Sequence, residues 1–223
     1  MRRFSIAALA AVLLVALPAR AGEVIDRIVA SVNGHIILQS EWDDTVNFEA
    51  LTGNKLTTAF TAEDRLAVLQ RLVDQELLRE QVRTSELHVV EDASEVTARV
   101  AEIRKLYPEA STDQGWRQLL SRYDLTEEEL RSRLALQFDL LRLVDNRLRP
   151  GTDVEDKAIE DYYNQSFLPE LRKSGGAEVP LSEVSGKIRE LLIQQKVNEG
   201  LADWLKTLRE TSAIRMQDGS KPQ

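Results

Sequence analysis

Two histidines and no cysteine leave this chain of 223 residues little material for soft metal ligation or thiol chemistry. Without cysteine there is no thiol nucleophile, no CxxC zinc or redox site, no disulfide framework and no lipid-modified cysteine. His35 follows an Asn-Gly pair and His88 precedes a Val-Val pair, positions that suit a surface or strand edge better than a ligand set. The densest carboxylate run, Glu127-Glu128-Glu129, falls where a helix should begin. Negative charge is favourable in a first helical turn, so capping and solvation account for it. Glycine-rich phosphate loops, HExxH and GxSxG are absent. No catalytic residue, metal site or cofactor is therefore expected. The side chains left to do chemistry are aromatic: Trp42, Phe48, Phe60 and Trp116 are the candidates for a peptide-binding surface. Core anchoring is the commoner role for each one taken singly, and the peptide-binding reading stands beside it.

The composition is 43% hydrophobic, 30% charged and 5% aromatic, which suits a helix-rich globular chain. Met1-Arg2-Arg3, an apolar run from Ile6 to Leu17 and Ala19-Arg20-Ala21 have the layout of a cleavable export signal. The apolar run is too short for a bilayer, which needs roughly 20 residues. Cleavage is expected after Ala21, giving a soluble exported chain outside the cytoplasm with no stable membrane insertion. Losing Arg2, Arg3 and Arg20 shifts the net charge from −8 to −11. Such an acidic chain, with its basic residues scattered, is unsuited to nucleic acid. Proteins, peptides or small molecules are the expected partners.

The elements that must position any site begin with a hairpin. Val24–Val32 and His35–Leu38 are apolar, β-branched runs separated by Asn33-Gly34, the strongest short hairpin signal. Helix follows from Ser40 onward. Ser40 with Asp43, Thr61 with Asp64, Asp92 with Glu95 and Thr126 with Glu129 mark four helix starts. Helical periodicity predicts one helix over 61–86, with Leu66, Leu69, Val73 and Leu77 on one face, and another over 92–106, with Val96, Val100 and Ile103. A third, over 126–149, has Leu130, Leu134, Leu141, Val144 and Leu148 on one side and Leu136, Leu140 and Leu143 on another, so it should be central. A short helix over 154–165 and a linker over 166–180 follow. The last helix, 181–211, has two faces: Val184, Ile188, Leu191 and Leu192, then Val197, Leu201, Trp204, Leu205 and Leu208. Its halves should pack against different bodies. Residues 213–216 read as a final strand, and 218–223 as a disordered tail.

Val24 to Gly34 followed by Ile36-Ile37-Leu38-Gln39-Ser40-Glu41 resembles the opening of the SurA family of periplasmic chaperones and peptidyl-prolyl isomerases. Leu69 to Leu78, Leu125 to Arg131, Trp204 to Arg209 and Ile214-Arg215-Met216 resemble later segments of that family. The resemblance implies a mainly α fold, a multi-helix chaperone core over 22–150. The C-terminal helix and strand over 181–217 would complete the same module through a small β element joining the two ends. Only about thirty residues separate Arg149 from Pro180, too few for the parvulin domain that usually sits there. The expected activity is thus an ATP-independent holdase for unfolded outer-membrane proteins or other exported polypeptides, with isomerase activity unexpected. A peptidyl-prolyl isomerase and a structural subunit with one fixed partner are the alternatives, and a homodimer stays open.

Overall fold

The computed structural model describes residues 26–84 and 93–217. The export-signal segment, Asp92, His88 and the 218–223 tail lie outside the described residues. β1 (Ile28–Val32) and β2 (His35–Leu38) form the expected hairpin. Asn33 and Gly34 take φ of 49° and 90°, the two positive values a type I′ turn demands. β3 (Ile214–Met216) pairs antiparallel with β1, giving the order β2-β1-β3 and joining the two ends of the fold as anticipated. A bulge between Ile28 and Ala30 turns two successive residues, Val29 and Ala30, inward, and both are buried. A Cβ on residue 34 would meet nothing within 4 Å, so only backbone strain opposes a side chain there. Gly34→Val is therefore expected to cost about 1–2 kcal/mol, read as a lower melting temperature. Unchanged stability would mean that the turn is not held at positive φ.

Helix α1 (Gln39–Thr52) begins without a side-chain cap. Ser40 was expected to cap it but lies inside its first turn, where its hydroxyl and backbone N–H bind the Asp26 carboxylate instead. Helix α2 (Ala62–Thr84) does start at Thr61, whose Oγ1 accepts from the Asp64 N–H at 3.1 Å while Asp64 accepts from the Thr61 N–H at 2.9 Å. Next come α3 (Ala93–Lys105), α4 (Asp113–Arg122) and α5 (Glu127–Leu148). The Thr126–Glu129 pair forms the full capping box at α5.

These helices enclose two cores. One packs Leu51, Ile103, Leu119, Leu130 and Leu134. It is pinned where the Tyr107 hydroxyl donates to the Leu51 carbonyl at 2.7 Å and the Tyr123 hydroxyl to the Lys55 carbonyl at 2.8 Å. The other packs Val29, Val32 and Ile37 of the sheet against Val46, Leu69, Val73 and Leu77. Leu141 was expected on a buried face of α5, yet it is 63% exposed. Its neighbours Leu140, Leu143 and Val144 fill the interface with the last helix, α8 (Leu181–Thr211), instead, and Leu141 falls on the angle between the packed faces.

Beyond a 3-10 turn at Arg149–Gly151, α6 (Asp156–Tyr162) runs through one wide π turn into α7 (Leu168–Lys173). The predicted linker is thus helical for its first half. The wide turn accommodates Pro169, whose ring would clash with a carbonyl one regular turn earlier. Helix α8 (Leu181–Thr211) divides as its two faces predict. Val184, Ile188 and Leu192 close a small core with Val154 and Ile159. Leu201, Trp204, Leu205 and Leu208 cover Leu78, Leu140, Leu143 and Val144. Leu191 departs from its face and is 41% exposed.

Acid should weaken this fold. Hydrogen bonds from Thr61, Thr126 and Ser40 hold Asp64, Glu129 and Asp26 below their ordinary values of 3.8, 4.5 and 3.8, and Arg122 does the same for Glu109. A carboxylate with a depressed folded pKa stabilises the fold above its unfolded value and loses that contribution as pH falls through the folded one. Asp44 opposes the trend, since burial raises its pKa. Protonating the four depressed carboxylates should lower the melting temperature as pH drops below about 4.5, with Asp44 acting in the opposite sense. Glu129→Gln should flatten that dependence.

Candidate functional site

Of the four aromatic candidates, the structure places three in the cores. Trp42 is 7% exposed, and its Nε1 donates to the Arg65 carbonyl at 2.8 Å while the Arg65 guanidinium lies over the ring. Phe48 and Trp116 share the α3–α4 core, Trp116 at 2% exposure with its Nε1 donating to Glu127 at 3.1 Å. Phe60 alone keeps partial exposure, bridging the two cores from the loop before α2. The four therefore do not converge on one exposed surface in this structure.

A cleft opens elsewhere, between α2 and α5, with a volume of about 930 Å³. From α2 it takes Leu72, Gln75 and Arg79, spaced at helical intervals on one face. From α5 it takes one stripe running from Glu128 through Ser132, Leu136 and Asp139 to Arg142. Glu41 of α1 and Val96 of α3 close its sides. Leu72, Val96, Ala135, Leu136 and Phe138 give it apolar lining, and the charges stand around them. The α5 stripe spans roughly 21 Å at 1.5 Å per residue. An extended chain rising ~3.3 Å per residue would need about six residues to fill that length.

The cleft's cations are already engaged. Arg79 donates to the buried Glu76 at 3.1 Å, Arg131 to Glu127 at 3.2 Å, and Arg133 to Asp44 at 3.3 Å. Arg142 pairs with both Asp139 and Glu95. These pairs lock the arginine stems along the cleft walls, where their methylenes add apolar surface. Sequence reading missed this site because its lining comes from four helices. Its one visible trace was the second apolar stripe of α5, which begins at Leu136.

Among the described residues, no three His, Asp or Glu side chains converge on a metal-sized site, and no helix is long and apolar enough to cross a membrane. The arrangement defines a helical module with a long, open, partly apolar groove, closed through a small sheet by its own C-terminal strand. The chain belongs to the SurA-like N-terminal domain family, whose model matches residues 3–144. The match runs from residue 3 through the hairpin to Val144, and α6, α7, α8 and β3 lie beyond it. It is to the N-terminal domain and not to a parvulin domain, and it suggests a chaperone-like role. No curated protein matches the chain at a significant level.

Proposed function

We propose that this protein is an ATP-independent periplasmic holdase that keeps unfolded outer-membrane proteins and other exported polypeptides from aggregating. The observation that carries the reading is the α2–α5 cleft: long enough for about six extended residues, lined by the half-buried Ala135, Leu136 and Phe138, and open to solvent. An open groove with apolar lining binds short apolar stretches weakly and releases them without an energy source. Family membership supports the chaperone class, and the leader-like segment over residues 1–21 supports export. The acidic surface would keep client complexes soluble.

The test is aggregation of an unfolded outer-membrane protein diluted from denaturant, followed by light scattering without nucleotide. Equimolar protein should suppress scattering, and Leu136→Asp should lose most of that effect while keeping its helical circular dichroism. Absence of suppression by the wild-type chain would overturn the reading. Clear turnover of a proline-containing peptide would move the protein into the isomerase class instead. A single stoichiometric partner pulled from periplasm, in place of a spread of clients, would favour a fixed assembly subunit. Mass spectrometry of the exported chain should find Gly22 at its N-terminus. An intact Met1 in the membrane fraction would refute export by cleavage.

A further inference from the structure

The charges of the cleft are unequally satisfied. Arg79, Arg131, Arg133 and Arg142 each have a carboxylate partner within the protein. Asp139 shares Arg142 with Glu95, and Glu129 is tied into the Thr126 cap. Glu41 and Glu128 are different: among the described residues neither carboxylate has a hydrogen-bond or ion-pair partner. Glu41 is half-buried beside the apolar lining, and Glu128 stands at the start of the α5 stripe. The charge left over inside the groove is thus negative, on a chain that is itself acidic. Gln75 is also without a partner on the α2 wall, and its amide can both donate to and accept from a peptide backbone.

We infer that the cleft selects extended polypeptide segments carrying a lysine or arginine among apolar residues, with Glu41 as the residue that reads the basic side chain. This rests on the proposed holdase reading and names its substrate class. Apolar client side chains would lie on the half-buried Ala135, Leu136 and Phe138, while the cation reaches Glu41. An acidic segment would meet an unpaired carboxylate with no free cation to compensate, since the four arginines are engaged. A half-buried carboxylate gains more from such a pair than an exposed one, because water screens it less.

Three fluorescent eight-residue peptides decide this, identical and apolar except for two central positions occupied by Lys, Gln or Glu. Binding to the full exported chain is measured by anisotropy at low and moderate salt. The Lys peptide should bind roughly three- to tenfold more tightly than the Gln peptide, and the Glu peptide should be weakest. Glu41→Gln should erase most of the affinity difference between the Lys and Gln peptides. Added salt should shrink the same difference. Equal binding of all three peptides, or a Lys advantage that survives Glu41→Gln, overturns the inference and leaves the holdase reading standing. If not even the neutral Gln peptide binds, or if its binding is indifferent to Leu136→Asp, the cleft is not the polypeptide site and both readings fall.

Discussion

A chain ending at Gly200 should not fold. Truncation there removes Leu201, Trp204, Leu205 and Leu208, which together cover Leu78, Leu140, Leu143 and Val144 on α2 and α5. Each of the four is half-buried. Half of the usual burial gain is about 1 kcal/mol or more per side chain, so the set is worth roughly 4–6 kcal/mol. The same cut deletes the Arg147–Trp204 cation–π contact at 4.4 Å and the Arg209–Asp74 ion pair at 2.6 Å. It also strips β3 from β1, leaving the backbone of Val29 and Asn33 without the partners Gln217 and Ala213 supply. Losses of this size match the whole stability of a typical domain, about 5–15 kcal/mol. The expected product is aggregated or lacks a cooperative melting transition. A truncated chain that melts cooperatively would show α8 to be an appendage, and closure of the module by its C-terminus would have to be given up.

The legible parts of this fold were those set by neighbours in sequence. Asn33-Gly34 announced its turn because two adjacent residues that tolerate positive φ are rare between apolar runs. Thr61 and Thr126 announced helix starts because a capping box closes within four residues. Ser40 misled because its competitor, Asp26, lies 14 positions upstream and reaches it only once the hairpin has folded. Leu141 and Leu191 misled for a related reason: helical spacing says which residues share a stripe, not how wide a stripe the neighbouring helix covers. The two-faced α8 could be foreseen, since a change of face needs no knowledge of the partners. The cleft could not, because two of the pairings that occupy its arginines, Arg133 with Asp44 and Arg142 with Glu95, join α5 to α1 and α3 across long stretches of chain.

Trp116→Ala separates the two roles its type allows, and its effect should be large. In a surface role the change would weaken polypeptide binding and leave the melting temperature nearly untouched, since surface substitutions stay within about 0.5 kcal/mol. The geometry points the other way. The indole is buried in the core that also holds Leu119, Leu120 and Leu130, with the Arg104 guanidinium 5.9 Å from its centroid. Its Nε1 bond to Glu127 ties α4 to the first turn of α5, which is also where the cleft stripe begins. Removing a buried tryptophan costs about 3–5 kcal/mol through lost transfer energy and an unfilled cavity. For a chain of this size that is a fall of roughly 6–20 °C in melting temperature. Trp116→Phe should recover more than half of it, because most of the volume returns and only the Nε1 bond is missing. Below its melting point the Ala variant should still bind the Lys peptide, provided α5 keeps its register. Normal stability with abolished binding would instead make Trp116 a client contact, and the binding surface would then have to be sought around α4.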